Sequence, residues 1–161
     1  MKKYNLPQKI EGAKAFDNRG SLSFVNDFSF RSIKRFYVID NFKNNFIRAW
    51  HAHKHEEKFF YCMSGAAQVS CVEISNYKKP SKNKKTFSWV ITEKKSEIIY
   101  VPKGYANGSM NLKENTKLLV FSTSTLEQSS KDDYRYPANY WNPWKIENRW
   151  KKFLSLDPLV C

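Results

Sequence analysis

Short segments in which apolar and polar side chains alternate recur along most of this chain. A period of two is typical of half-buried β-strands, and the segments are rich in β-branched and aromatic residues. The pattern predicts strands near residues 20–25, 33–39, 46–51, 58–63, 67–74, 86–91, 97–101 and 117–124. Turn residues separate them, such as Ser64-Gly65 in a predicted hairpin and Pro102-Lys103-Gly104 later.

This spacing predicts nine or so short strands and no amphipathic helix before residue 124, which is typical of an antiparallel sandwich or barrel. Residues 1–19 are interpreted as a short lead-in. After residue 124 the aromatic residues lie among charges and prolines, with a possible short helix near 147–154. We interpret this region as an aromatic-rich C-terminal arm that packs on the barrel or on a second subunit, or that covers an open sheet end within the chain. Its aromatic residues are Tyr134, Tyr136, Tyr140, Trp141, Trp144 and Trp150.

The composition is globular and strongly basic. Of 161 residues, 41% are hydrophobic and 16% aromatic, which predicts one ordered domain over residues 1–161. The net charge of +13 favours an anionic partner such as a nucleotide diphosphate. Much of the excess lies in a lysine-rich segment, 78–85, which predicts a solvated loop. No nucleic-acid-binding motif accompanies it, so nucleic acid is not the predicted partner.

The cysteines and the hydropathy of the chain indicate the cellular compartment in which the protein works. Cys62, Cys71 and Cys161 are an odd set without CxxC spacing, which argues against a disulfide framework and a zinc site. The basic N-terminus is not followed by an apolar run, and no segment approaches the length of a membrane span. We therefore expect a protein of the reducing cytoplasm, neither embedded in a membrane nor exported by this route.

All three histidines lie in the pentapeptide His51-Ala52-His53-Lys54-His55. If this segment is a strand, alternating side chains share a face, so the three imidazoles form one wall. Histidine changes its charge near neutral pH, which suits it to proton transfer. The alternative interpretation is a polar strand end that meets solvent.

The spacing His51-x-His53-x-x-x-Glu57, with Gly65 at the next hairpin turn, resembles the first of two cupin motifs. Residues 102–111 resemble the second. The resemblance implies an all-β fold, the cupin double-stranded β-helix or jelly roll.

In metal-binding cupins, the residues that match His51, His53 and Glu57 coordinate a divalent metal together with a histidine of the second motif. Here Asn107 stands in that fourth position, and an amide is a poor substitute for imidazole on a transition metal. The first three could still form a facial triad of two histidines and one carboxylate. We predict that the protein needs no metal and no other cofactor.

Four segments carry a narrower resemblance. Residues 48–54 read Arg-Ala-Trp-His-Ala-His-Lys, residues 101–108 read Val-Pro-Lys-Gly-Tyr-Ala-Asn-Gly, and segments 17–22 and 129–144 add to the match. They resemble cupins that rearrange nucleotide-linked 4-keto-6-deoxy sugars, the dTDP-4-dehydrorhamnose 3,5-epimerases and the WxcM-like dTDP-sugar 3,4-ketoisomerases. The resemblance spans roughly residues 12 to 144.

The chemistry of such enzymes assigns roles. Removing a proton next to a ketone needs a positioned base, stabilisation of the developing oxyanion and an acid that returns the proton. The resemblance implies His51 as the base, with His53 as a second base or as the group that orients the intermediate. Arg48 would hold the diphosphate or the sugar. A regular strand places Arg48 opposite His51, so this role requires a bulge or bend, or else Arg48 acts on the other face.

The epimerases carry a tyrosine acid on the strand after the second motif, whereas residues 122–127 here contain none. Its absence favours a single-site epimerase or a 3,4-ketoisomerase, in which one base can move a proton along one face. The predicted substitute acids are Tyr37 and Tyr134, with Tyr61 and Tyr105 as alternatives.

The remaining candidates bind the substrate or orient the base. The predicted substrate-binding residues besides Arg48 are Arg19, Arg35, Lys54 and Asn107. The candidates for a carboxylate that orients His51 are Asp132, Asp133 and Glu57.

The predicted function is isomerisation or epimerisation of a dTDP-linked 4-keto-6-deoxyhexose by a homodimer, in the biosynthesis of a surface polysaccharide. One alternative is a cupin that binds a nucleotide sugar without catalysis. Another is a metal-dependent cupin oxygenase.

Overall fold

The computed structural model describes residues 5–41 and 43–144, and nearly all of its regular structure is β. The strands are β1 (Gln8–Glu11), β2 (Ala13–Asp17), β3 (Gly20–Phe24), β4 (Arg35–Asp40), β5 (Ile47–Ala52), β6 (Lys58–Ser64), β7 (Ala66–Glu73), β8 (Thr86–Thr92), β9 (Glu97–Val101), β10 (Tyr105–Asn111), β11 (Lys117–Ser122) and β12 (Tyr134–Arg135). One helix, α1 (Leu126–Lys131), follows β11. Its N-terminus carries a capping box, in which Thr125 accepts from the backbone N–H of Gln128.

Two antiparallel five-stranded sheets form the predicted jelly roll. The first sheet has the strand order β1-β9-β6-β11-β4 and the second β12-β5-β10-β7-β8, while β2 and β3 form a separate hairpin. Apart from β7 and β8, neighbouring strands in these two sheets are not consecutive in sequence, as expected when two sheets face each other with crossing connections. The hairpin predicted around Ser64-Gly65 is not formed, because β6 and β7 lie in different sheets. At the turn that connects them, Gly65 has a φ of +76°, a conformation that favours glycine.

Buried side chains form three hydrophobic clusters, one between the two sheets and one on the outer face of each sheet. Between the sheets, Phe60, Val69, Ile91, Ile99 and Val120 are buried. The outer face of the first sheet holds Ile10, Phe59, Ile98 and Tyr100. The outer face of the second sheet holds Trp50, Ala52, Val72 and Ala106, with Trp141 and Trp144 from the arm.

The C-terminal arm covers the second sheet within the same chain, as far as residue 144. Trp141 and Trp144 pack on Trp50 with ring centroids 5.5 and 5.0 Å away. The backbone groups of Trp50 and Tyr136 also exchange hydrogen bonds. Because β12 thereby pairs with β5, residues just before β12 come close to the histidine segment.

The arm also holds the lysine-rich loop. The lysines of this loop are exposed apart from Lys84, which is half-buried, so the expectation of a solvated loop is confirmed. Its backbone is nevertheless anchored, because the Tyr140 hydroxyl donates to the Pro80 carbonyl at 2.7 Å and the Trp141 indole donates to that of Ser81 at 3.0 Å.

Two further expectations from the sequence need revision, and another lies outside the described residues. The lead-in contains two strands, β1 and β2, whose four and five residues are too few for an alternating pattern to stand out. The second cupin motif contains a complete buried strand, β10. The possible helix near 147–154 and Trp150 lie outside the described residues.

Candidate active site

A cavity of about 360 Å³ opens between the two sheets, and both sheets contribute to its walls. Strands β4 and β6 of the first sheet face β5 and β10 of the second across it. Its polar lining includes Tyr37, Asp40, Arg48, His51, Lys58 and Asn107. Two cationic side chains in one concave site provide a favourable environment for an anionic ligand.

A bulge in β5 brings Arg48 and His51 to the same cavity. Opposite them in β10, Asn107 pairs with His51 and Ser109 pairs with Arg48, so β5 has one residue more than β10 over this interval. In a regular strand, Arg48 and His51 would lie on opposite faces. The extra residue shifts the alternation of side chains, so both can face the cavity.

Gly108 accommodates this bulge. A Cβ atom at residue 108 would lie 2.5 Å from the Cβ of Ala49 and 3.0 Å from the carbonyl oxygen of Arg48. Only glycine lets β10 approach the bulged strand this closely.

His51 faces a carboxylate from the arm. Its Nδ1 lies 3.7 Å from Oδ1 of Asp133, which is longer than a hydrogen bond. Oδ1 is buried and has no hydrogen-bond partner among the described residues, whereas Oδ2 accepts from Nε of Arg135 at 2.7 Å. Of the three predicted orienting carboxylates, the structure therefore brings Asp133 to the base.

His51 is in its basic form near neutral pH. Burial lowers its pKa below the ordinary value of 6.5, the Lys58 ammonium lowers it further, and Asp133 opposes the shift. A proton on Nδ1, facing Asp133, leaves the lone pair on Nε2 available as a base.

The expectation that three imidazoles share one wall is wrong. Strand β5 ends at Ala52, so the alternation stops there. His53 is buried in a polar cluster behind the cavity, with Nε2 3.1 Å from Nζ of Lys58 and 3.1 Å from Oε2 of Glu56. His55 is exposed, and its backbone N–H donates to the side chain of Asp132 at 2.9 Å.

The polar cluster behind the cavity is centred on Glu56, whose side chain is fully buried. Its carboxylate accepts hydrogen bonds from Ser122 at 2.5 Å, Ser129 at 2.7 Å and Arg35 at 3.2 Å. Burial would raise the pKa of Glu56, but the Lys58 charge and these bonds lower it overall. The predicted ligand Arg35 therefore belongs to this cluster, and its guanidinium lies 5.1 Å from the Tyr37 ring centroid.

Lys58 was missed by sequence reasoning, although it lines the cavity. Burial lowers its pKa, opposed by the charge of Glu56. Its place at the start of β6, seven residues before Gly65, carries no chemical signal in a single sequence.

The predicted acids differ in position. Tyr37 lines the cavity, and burial together with the charge of Glu56 raises its pKa to about 12. Tyr134 lies outside it, packed on Tyr77 at 4.6 Å between ring centroids. The ammonium of Lys54 lies 5.1 Å from the Tyr134 centroid, so this predicted ligand is outside the cavity too.

The two remaining ligand candidates also have defined positions. Arg19 is exposed at the turn between β2 and β3, where it pairs with Asp17 at 2.6 Å. Asn107 lines the cavity, and its amide donates to the backbone carbonyl of His51 at 2.9 Å.

Arg48 is oriented from behind. Its Nε donates to Oδ1 of Asn41 at 2.7 Å, and Asn41 is itself buried. Because this bond uses the Nε position, the two terminal nitrogens stay available for oxygen atoms of a ligand.

The cupin metal ligands do not come together. Glu57 contacts Tyr100 on the outer face of the first sheet, and the Asn107 amide is engaged with the backbone of β5. Within residues 5–41 and 43–144, no three His, Cys, Asp or Glu side chains are grouped to hold a metal ion. The donor set therefore does not fit the cupin metal site.

Solved structures with the same fold include sugar-nucleotide isomerases. A point mutant of the 3,4-ketoisomerase QdtA from Thermoanaerobacterium thermosaccharolyticum, in complex with TDP-4-keto-6-deoxyglucose, is 18% identical, with a TM-score of 0.65 over 86% of this chain and 93% of that one. The dTDP-4-dehydrorhamnose 3,5-epimerase from Bacillus anthracis is 18% identical, with a TM-score of 0.71 over 88% and 86%. The WlaRB TDP-quinovose 3,4-ketoisomerase from Campylobacter jejuni is 22% identical, with a TM-score of 0.63 over 85% and 98%.

At these identities the likeness shows a shared fold. A search of curated proteins found no match. The family model described as WxcM-like, C-terminal (FdtA) matches residues 7–143. The match covers both cupin motifs, the bulged strand and Asp133, and the chain therefore belongs to the WxcM-like, C-terminal (FdtA) family.

Proposed function

We propose that the protein is an isomerase that acts on a dTDP-linked 4-keto-6-deoxyhexose by removing a proton next to the ketone. The observation that carries the proposal is the cavity. There a neutral His51 faces Asp133 and lies near the cationic side chains of Arg48 and Lys58. The solved structures with this fold include enzymes that bind such sugars.

The first step needs a neutral base and a place for negative charge. Nε2 of His51 takes the proton from the carbon next to the ketone, and Asp133 stabilises the imidazolium that forms. The electron pair moves to the carbonyl oxygen, where the Lys58 ammonium on the cavity wall stabilises the enolate. Arg48 binds the diphosphate through its two terminal nitrogens.

The isomerase could carry out 3,4-ketoisomerisation or epimerisation, and 3,4-ketoisomerisation is favoured. Among the described residues, His51 is the one histidine that lines the cavity, and the tyrosine acid of the epimerases is absent from residues 122–127. Proton removal at C3 and return at C4 on one face, with transfer of the hydroxyl proton to the other oxygen, moves the ketone from C4 to C3. One base is sufficient for this transfer.

Epimerisation is the second candidate because Tyr37 and His51 lie on different sheets. A donor on the opposite wall could protonate the enolate from the other face and invert the carbon. Replacing Tyr37 by Phe separates the two reactions: inversion would fall about 100-fold, whereas transfer by His51 alone would persist. Tyr134→Phe, outside the cavity, is the matched control.

Proton NMR in heavy water tests the function directly. With dTDP-4-keto-6-deoxyglucose we expect a product with the ketone at C3 and deuterium at C4, where the proton is returned, and deuterium at C3 in any substrate that re-forms. A product that keeps the ketone at C4 with inverted configuration would instead identify an epimerase. Absence of exchange with dTDP, GDP and UDP forms of the sugar, while a nucleotide still raises the melting temperature, would overturn the proposal in favour of a binding cupin.

We further propose a homodimer of single-domain chains. The β2–β3 hairpin forms its own two-stranded sheet, which is marginally stable alone. The cross-strand register puts Ala13, Ala15, Leu22 and Phe24 on one face, and the first three are exposed. A second copy covering this face would remove apolar surface from water. Leu22→Lys should then lower the mass measured by light scattering to that of a monomer.

The compartment and pathway follow the same proposal. No helix among the described residues is long and apolar enough to cross a membrane. Cys62 and Cys71 are buried and unbridged, and burial raises the thiol pKa of Cys62 to about 12, which suits inert thiols in a reducing cytoplasm. We place the reaction in surface polysaccharide biosynthesis on the basis of the family.

A further inference from the structure

His53 has contacts at both ring nitrogens and is only 3% exposed. Its Nδ1 lies 2.6 Å from the backbone carbonyl oxygen of Asp132. Its Nε2 lies 3.1 Å from Nζ of Lys58, with which it shares a hydrogen bond, and 3.1 Å from Oε2 of Glu56. The two bonds connect three segments that meet behind the cavity.

The partner of Nδ1 determines where the proton lies. A carbonyl oxygen only accepts, so Nδ1 must donate, and in a neutral imidazole Nε2 then carries the lone pair. That lone pair accepts from the Lys58 ammonium. Burial lowers the pKa of His53 and the Lys58 charge lowers it further, while Glu56, Asp133 and the bond to the Asp132 carbonyl oppose the shift. The net shift is downward, which agrees with a neutral ring.

Both bonds lead to groups that line or face the cavity. Asp132 directly precedes Asp133, the carboxylate that faces His51. Lys58 itself lines the cavity. Oε2 of Glu56 lies 3.9 Å from Nζ of Lys58 and 3.1 Å from Nε2 of His53, and this carboxylate is fixed by its own hydrogen bonds.

We propose that His53 is a positioning residue, which fixes Asp133 through the Asp132 backbone and fixes the Lys58 ammonium through Nε2, without exchanging protons with the substrate. This replaces the role of second base that the sequence suggested. The inference deepens the proposed function and rests on it only for the catalytic readout.

The first test is nitrogen NMR of the wild-type protein without substrate. The chain has three histidines, so each ring can be assigned. At pH 7 we expect His53 to be neutral with the proton on Nδ1. A protonated ring, or a proton on Nε2, would overturn the proposal.

Two variants then separate the two bonds. In His53→Asn, the amide nitrogen takes the place of Nδ1 and keeps the bond to Asp132, but nothing reaches Lys58. In His53→Gln, the amide oxygen reaches the place of Nε2 and accepts from Lys58, but Asp132 loses its donor. His55→Asn, at an exposed position, is the matched control.

The readout is the pKa of His51, whose charged neighbours are Lys58, Asp133 and Arg135. With His53→Asn the free ammonium closes on Glu56, so the pKa of His51 should rise. With His53→Gln, Asp133 moves away, so this pKa should fall. Shifts of the same sign, or no shift, would overturn the proposal, because general loosening of the fold has no reason to act in opposite directions.

Catalysis adds an independent test. Each variant should lower kcat by about tenfold with little change in KM. Deuterium incorporation should fall in the same proportion at every exchanging carbon, whereas loss at one carbon alone would identify His53 as a second base and overturn the proposal. If the wild type exchanges no sugar proton, the proposed function fails, but the NMR results still decide the role of His53.

Discussion

His51 and His53 are two residues apart and have opposite environments. The His51 side chain is 37% exposed, and its carboxylate neighbour keeps an unpartnered oxygen 3.7 Å away. The His53 side chain is 4% exposed and has partners at both nitrogens. A base must reach its substrate and have a free lone pair, whereas a supporting group is most useful when every contact is made. This difference is the basis on which we propose His51 as the catalytic imidazole and His53 as the supporting one.

The largest effect is expected from His51→Asn, which removes the base and leaves the supporting histidine in place. Turnover should fall about 10³-fold because the base acts in the transition state. TDP affinity, measured by calorimetry, should be nearly unchanged. Turnover like that of the exposed-site control His55→Asn would contradict this role.

The next effect is expected from Lys58→Met, which removes the cation that both histidines face. The kcat should fall about 100-fold because the enolate loses its charged partner.

The same variant changes the pH profile. In the wild type, neutral His51 persists below pH 6.5, so kcat/KM should fall only as the pH drops through a pKa lower than 6.5. Without the Lys58 charge this acid limb should move up toward pH 6.5. Lys54→Met, outside the cavity, should leave the limb in place, and an unmoved limb in both variants would refute the electrostatic coupling.

Arg48→Gln tests substrate binding in the cavity that His51 lines. Losing charge-assisted hydrogen bonds to the diphosphate should raise KM about 10-fold to 100-fold with a smaller change in kcat. Steady-state kinetics would show it, with the exposed Arg31→Gln as control. A normal KM would argue that Arg48 does not hold the substrate.

The smallest effect is expected from replacing Lys78, Lys79, Lys82 and Lys85 by glutamine together. These exposed side chains are remote from the chemistry, and the backbone bonds to Tyr140 and Trp141 remain. Activity should change less than about twofold, because exposed charges are screened by salt. A large loss in an assay of kcat/KM would reveal a functional patch in this loop.

Local patterns were sufficient for the jelly roll and for the family, because strand alternation and motif spacing are recorded in short segments. They also selected His51 and Arg48 as candidates, and the bulge in β5 brings these two side chains to one cavity. Tyr37 could be selected as one tyrosine among several, but its position on the cavity wall depends on the pairing of β4 with β11.

Other predicted site residues lie outside the cavity, and residues without a motif line it or support it, for a shared reason. Lys54 belongs to the histidine segment, and Tyr134 pairs with Ala52 of β5. Both side chains nevertheless lie outside the cavity, where the Lys54 ammonium is 5.1 Å from the Tyr134 ring centroid. Lys58, Glu56 and Asn41 carry no motif that indicates a site. Their importance arises from contacts between distant strands, which a single sequence does not record.

The sequence by itself determined most of the β-strands, the cupin arrangement and the grouping of the histidines near a basic side chain. Only the tertiary structure decided which histidine lines the cavity and which is buried behind it. The physical reason is that β5 ends at Ala52, while the arm, held by Trp141 and Trp144 on Trp50, brings Asp133 beside His51. Packing between residues about 90 positions apart therefore determines the environment of a motif only five residues long.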